Sequence, residues 1–320
     1  MASAIAARLP RPLTTRSRGG AAVGAVLVAL VLITLSSSLL GGKVFSSGDN
    51  VFLWPPFSAE KPPGWVRPSN PLLTDPVLGF LPDLLRGRAD LHGGGLPLWN
   101  PYAAGGRPLL ATQQAGLLYP PNWLALVLPF WSALAWIAAI KILLAAAGTY
   151  LLCRELCRGR AASLLGAVAF GFGTYYITWL EHPHTSVWAM LPWALFATRR
   201  LCRTGSLGAT ALLGLATGVA WLGGHPESAV FVLVSTVVYG AFELLAERFR
   251  GPSRSEPTLG RRTALFISGL VLGTGLGAVM SLPLLELLGA SGKTPRGVPA
   301  YPFKAGLSFF FPELWGMPNK

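Results

Sequence analysis

Charge is what this sequence has least of. Only 12% of its 320 residues are Asp, Glu, Lys or Arg, while 52% are apolar. Soluble domains carry about 25% charged residues. A water-soluble globular enzyme is thereby excluded, and so is a disordered or fibrous chain. Cysteine is scarce as well: Cys153, Cys157 and Cys202 cannot all pair within the chain. All three fall at helix ends expected to face the cytoplasm, where thiols stay reduced. No Walker loop, no dinucleotide-binding glycine fingerprint after a strand and no nucleophile elbow is present.

What the sequence has instead is long apolar runs, and a mean hydropathy of +0.51. A helix needs about 20 apolar residues to cross ~30 Å of hydrocarbon. Runs at 20–41, 131–152, 161–180, 187–200, 206–222, 229–247 and 263–287 predict about seven spans. The fold class expected is all-α, a polytopic transmembrane helix bundle. The fourth run is short and contains Pro192. The apolar stretch 117–129 is shorter still and reads as interfacial or re-entrant. Residues 1–19 form a basic tail, 20–320 the bundle, and 42–116 a first loop too long to be a mere connector.

The net charge of +13 is accounted for by topology. With the N-terminus inside, fifteen of the 26 Lys and Arg fall on the cytoplasmic side, and the short outer turns carry none. This is the positive-inside pattern, so no nucleic-acid partner is implied; the partners expected are membrane lipids. The acidic residues Asp49, Glu60, Asp75, Asp83, Asp90, Glu181, Glu227, Glu286 and Glu313, with all four histidines, fall on or near the outer side. Chemistry, if there is any, is expected at the outward face of a multi-pass cell-membrane protein.

Two outer turns echo each other. Trp179-Leu180-Glu181-His182-Pro183-His184-Thr185-Ser186 resembles Trp221-Leu222-Gly223-Gly224-His225-Pro226-Glu227-Ser228. One reading is punctuation: proline ends one helix, and Thr185, Ser186 or Ser228 caps the next. The other brings the two tips together to line one pocket with His182, His184 and His225. With Glu181 and Glu227, these histidines could position a substrate or ligate a divalent metal, a loose pattern beside a paired Cys-x-x-Cys motif. Lys141 lies within a span and should face the bundle interior or a partner, with Glu286 a candidate. Gly269, Gly273, Gly275 and Gly277 fit close helix packing.

The first loop carries the most local information. Asp75 before Pro76 predicts a helix from Pro76 to about Ala89, with Asp75 as N-cap, Pro76 at the first helical position and Pro82 as a kink. Gly93-Gly94-Gly95 should end it. Leu78, Leu81, Leu84 and Leu85 give it an apolar side suited to a membrane surface.

These same residues carry a resemblance. Asn70, then Asp75-Pro76 and Pro82, Gly95-Leu96-Pro97-Leu98-Trp99-Asn100-Pro101-Tyr102, Gly105-Gly106-Arg107-Pro108-Leu109, Gln113-Gln114 and Tyr119-Pro120 resemble the N-terminal part of YfhO-type bacterial membrane proteins. The likeness continues through Ala147-Gly148-Thr149-Tyr150, the His182 turn, Pro283-Leu284-Leu285-Glu286 and Phe311-Pro312-Glu313-Leu314-Trp315-Gly316. These proteins are grouped with the C-type (GT-C) glycosyltransferases. The resemblance implies a helical bundle with surface helices in its first outer loop. It also implies a chain that is the N-terminal part of a larger architecture. The implied activity is sugar transfer from a polyprenyl-phosphate donor to an acceptor at the outer face, with Asp75 as the matching catalytic carboxylate and Asp49 its rival. This chain departs from the pattern at Gly79, where the family often has Gln, and at Thr112, where it often has Asn.

Such a transfer needs a base for the acceptor and positive charge for the leaving phosphate. Arg86, Arg88 and Arg107 are the candidate phosphate partners, and His182, His184, His225 and Glu227 the candidates for holding substrate. The alternatives are a lipid or solute transporter, or a non-catalytic or truncated membrane protein.

Overall fold

The computed structural model describes residues 18–156, 158–250 and 257–291. Most of the basic tail, Cys157, part of the 248–262 loop and the 311–316 motif lie outside the described residues. The chain divides after Leu287 into two units, and the account below concerns the first.

Ten helices organise it: α1 (Arg18–Thr34), α2 (Leu81–His92), α3 (Phe130–Glu155), α4 (Arg160–Gly171), α5 (Thr174–Thr178), α6 (Pro183–Trp188), α7 (Leu191–Thr204), α8 (Leu207–Leu222), α9 (Pro226–Arg250) and α10 (Leu259–Ala290). Shorter helical turns punctuate the first loop. The described β-structure is one antiparallel pair of two-residue strands, Trp99–Asn100 against Arg107–Pro108.

Among the described residues four stretches are long and apolar enough to cross a membrane: α3, the interrupted α4–α5 stretch, α9 through Ala246, and α10. The expected runs at 20–41 and 206–222 appear as the shorter helices α1 and α8. The run at 187–200 becomes α6 and α7, broken between Trp188 and Leu191 just before Pro192. Val230, Phe231, Val234, Val238 and Phe242 of α9, and Ile267, Val271, Leu276, Val279 and Leu282 of α10, are exposed. In water that would be a large unprotected apolar surface; in a bilayer it is the lipid-facing side.

The bundle is built around α3. Ala138, Ala139, Ile142 and Ala145 of α3 pack with Tyr176, Leu180, Val187 and Met190. Its first turns carry a second cluster, in which Phe130, Ala133 and Ile137 meet Leu84 of α2 and Leu109, Ala115, Leu117 and Ala125 of the loop. The first loop is thus packed onto the end of α3.

That loop is held by its own polar residues. Asn50 is fully buried, and its amide donates to the carbonyls of Ser47 and Asn70 at 3.0 Å and of Leu73 at 3.3 Å. The helix begins at Thr74 and passes through a π-turn, Pro76–Phe80, before α2. Asp75 therefore has helical dihedrals and makes no side-chain cap, contrary to its expected N-cap role. Pro82 has no N–H to donate, and a widened turn just before it accommodates that loss. Gly93 ends the helix as expected, with Gly94 in the left-handed region at φ 77°.

The helix-capping expectation at the two echoed turns also needs correcting. Proline at the first helical position makes the preceding histidine the N-cap, so the hydroxyls sit one turn inside. His182 precedes α6, and Thr185 Oγ1 donates back to its carbonyl at 2.7 Å. His225 Nδ1 accepts the Ser228 N–H at 3.2 Å.

Helices α8 and α10 meet along a glycine seam of four-residue spacing. A Cβ on Gly269 would lie 2.9 Å from Leu213, on Gly273 1.8 Å from Thr217 Oγ1, and on Gly277 2.4 Å from Trp221. Gly275 lies off this seam, with nothing within 4 Å. Gly273→Leu should therefore force the helices apart, at a cost of about 1–3 kcal/mol, while Gly275→Leu should be tolerated. Thermal unfolding of the two detergent-purified variants checks this: equal melting temperatures would contradict the seam.

Candidate functional site

Lys141 places the site. At 1.5 Å per residue it lies about 16 Å along α3 from Phe130. Its ammonium donates to the carbonyls of Leu180 at 3.0 Å and His182 at 3.2 Å, and to Thr185 Oγ1 at 3.3 Å. A buried cation within a span needs such partners, and here they are oxygens of the His182 turn. The expected partner Glu286 is exposed and makes no contact with it. The turn is thereby pinned beside the middle of α3, well short of the end of that helix.

The space above the turn is filled by the first loop. Tyr119 is fully buried beside Ser186. Gln113 Nε2 donates to the Met280 carbonyl of α10 at 2.7 Å. Gly224, in the second turn, lies so close to Gln113 and Gly116 that an added Cβ would meet them at 3.0–3.1 Å. Its φ of 88° also requires glycine.

The two echoed turns do meet. His182 and His184 have ring centroids 5.2 Å apart, and His184 and His225 5.6 Å apart. Around them stand Phe80 at 5.2 Å and Trp179 at 4.8 Å from His182, and Tyr175 at 6.0 Å from His184. His182 Nε2 and His184 Nε2 are buried with no hydrogen-bond partner in the protein. Burial, reinforced by the neighbouring imidazoles and Lys141, holds His182 down to about 4 and His184 to about 3; Asp75 pulls His182 the other way. Burial lowers His225 as well, against the field of Glu227. These are neutral imidazoles at physiological pH. Among the described residues no three His, Cys, Asp or Glu side chains are arranged to hold a metal ion.

The two candidate carboxylates have different surroundings. Asp49 is held on both oxygens by Ser69, at 2.5 Å from the N–H and 2.9 Å from Oγ. Asp75 is exposed, none of its oxygens accepts a hydrogen bond within the described residues, and it lies within the electrostatic reach of His182. The arginines are engaged inside the loop. Arg86 pairs with Asp90 and lies over the Tyr102 ring. Arg88 donates to the carbonyls of Ala125 at 2.5 Å and Leu128 at 2.7 Å. Arg107 pairs with buried Asp83 at 2.5 Å, leaving its Nε–H without a partner, and Asn100 donates to the other Asp83 oxygen at 2.9 Å. Glu227 is exposed in the first turn of α9, where a helix N-terminus favours an acid.

Sequence reasoning grouped Glu181 with the histidines but did not single it out; the structure gives it a cavity of its own. Between α2, the loop and α3 lies a half-open cavity of about 60 Å³, walled by Phe80, Leu84, Ala115, Ile137 and Ala138, with Lys141 and Glu181 as its charged members. Glu181 Oε2 accepts the Ser47 N–H at 2.9 Å and lies 3.1 Å from Ser47 Oγ. Burial raises the Glu181 pKa, although Ser47 and Lys141 oppose the rise. The only sequence signal was an acid beside the His-Pro turn.

No family model matches the chain, and no curated protein or solved structure matches it.

The histidines set an acid limit on stability. Their folded pKa values lie below the ordinary 6.5, so below that pH the unfolded chain binds protons the fold resists. Stability should be full above about pH 6.5 and fall as pH drops towards 4. The upward shift of Glu181 opposes this, but with one proton against three. Melting curves from pH 7.5 to 4.5 check it: His182→Gln with His184→Gln should flatten the decline, and an unchanged slope would contradict the assignment.

Proposed function

We propose that this chain is a GT-C-like membrane glycosyltransferase of the YfhO type, transferring sugar from a polyprenyl-phosphate donor to an acceptor hydroxyl. In this reading the chain crosses the membrane about seven times with its N-terminus inside. The His182 turn, the His225 turn and the first loop then face outward, and the arginine-bearing ends of α3 and α7 face the cytoplasm. The family resemblance of the first loop and the excess of arginine at the inner ends support it.

The observation that carries the proposal is the contrast between the two aspartates. A general base must offer a free lone pair to the proton it removes. Asp75 has both oxygens free in the first loop beside the buried histidine cluster, whereas Asp49 is occupied in holding Ser69. Asp75 takes the acceptor proton, and the acceptor oxygen attacks the anomeric carbon. The bond from that carbon to the phosphate oxygen breaks, and polyprenyl phosphate leaves with the electron pair. Arg107, whose side chain is part-exposed with Nη1 uncommitted although its Nε is buried, is the arginine best equipped to meet the phosphate; Arg86 and Arg88 hold the loop. The neutral imidazole of His225 offers a hydrogen bond suited to a sugar hydroxyl, whereas the Nε2 atoms of His182 and His184 are buried behind it.

Membranes containing the protein, given a panel of polyprenyl-phosphate hexoses, should incorporate label into acceptor. Asp75→Asn should reduce incorporation about 10²–10⁴-fold at unchanged protein level, and Asp49→Asn should leave it within a few-fold. Equal activity of wild type and Asp75→Asn would remove Asp75 from the mechanism, and no incorporation with any donor would count against transfer.

A further inference from the structure

The cavity at Glu181 has a composition that selects its occupant. Its walls are mostly apolar, and its charged groups are one carboxylate and one ammonium. All three Lys141 protons have protein acceptors. Glu181 differs: Ser47 occupies Oε2, while Oε1 accepts no hydrogen bond in the protein and is not sealed from the cavity. At Glu181 the free position is therefore an acceptor, which calls for an O–H or N–H donor there; Gln114, Asn122 and Ser186 supply the cavity's other polar lining.

Charge narrows the choice. An anion entering here would face Glu181, and a cation would add to the field of Lys141, which already reaches Glu181. A neutral hydroxyl meets neither penalty, and the apolar walls favour an alkyl chain behind it. Size narrows it further. About 60 Å³ has room for roughly four to six water-sized groups, too few for a hexose with its hydroxyls.

We propose that this cavity binds the hydroxyl end of an uncharged amphiphile, donating to Glu181 Oε1 with its first methylenes against Leu84, Ile137 and Ala138. This binding does not rest on the function proposed above, in which Asp75 and not Glu181 takes the acceptor proton.

The test uses dicyclohexylcarbodiimide, an apolar reagent that reacts with a carboxylate out of bulk water through its protonated fraction, which burial of Glu181 enlarges. The carboxyl proton passes to a carbodiimide nitrogen, the carboxylate oxygen bonds to the central carbon, and the adduct rearranges to a stable acylurea. In proteoliposomes, mass spectrometry should find Glu181 labelled, and Glu181→Gln should abolish that label. 1-Dodecanol at about ten times its Kd should slow labelling about tenfold, while dodecylammonium and dodecyl phosphate should not. Ala115→Leu, which fills the wall and leaves the carboxylate in place, should remove both label and protection. Protection by dodecyl phosphate or dodecylammonium, or none by dodecanol, would overturn the proposal. Asp75→Asn should keep both label and protection. A protein that binds the alcohol but shows no transfer thus refutes the enzyme and leaves the cavity assignment standing.

Discussion

The arrangement depends on one buried cation. Lys141 sits within a membrane-spanning helix, where an unpaired ammonium is costly. Three oxygens of the 180–185 segment relieve that cost, and in return they fix where the segment lies. The helices on either side of the turn, α5 and α6, are short, of five and six residues. A recess is left beside the upper turns of α3. The first loop occupies it, with Leu84, Leu109, Ala115 and Leu117 against Phe130, Ala133 and Ile137. The histidine cluster, Asp75 and the Glu181 cavity all adjoin that recess.

This explains what could be read in advance and what could not. Helical periodicity and apolar length are local, so the positions of the helical stretches followed from the sequence. Pairing of the two His-Pro tips followed from their internal likeness. Lys141 within a span was a clear sign of a buried partner, but the partners turned out to be main-chain oxygens, and a sequence does not advertise which carbonyls are free. Asp75 before Pro76 matched a capping pattern, yet the helix starts two residues earlier, at Thr74, which puts Asp75 inside it. Gly275 looked like its neighbours until the four-residue seam excluded it. Glu181 stood out least, because its importance comes from a cavity wall assembled from α2, the loop and α3.

The polar groups of the first loop divide into two kinds. Asn50, Asp49, Asp83, Arg86, Arg88 and Asn100 are turned inward on the loop itself, giving an irregular segment the hydrogen bonds that regular structure would otherwise supply. Asp75, His182, His184 and Glu181 retain atoms that the fold does not satisfy. Buried polar atoms without partners are uncommon; they also occur away from this site, at Ser163, Thr198 and Glu243, so the pointer to chemistry is that the two buried imidazoles adjoin the free carboxylate of Asp75.

The Gln113 contact has a consequence for biogenesis. Its amide is satisfied by the carbonyl of Met280, 167 residues later in the chain, and the neighbouring Gly116 lies against Gly224. On a ribosome the first loop emerges well before either partner exists. It therefore waits, without its later neighbours, until α8 and α10 have been made, and α10 completes a loop made much earlier. Assembly of this region closes from α10 back onto the first loop.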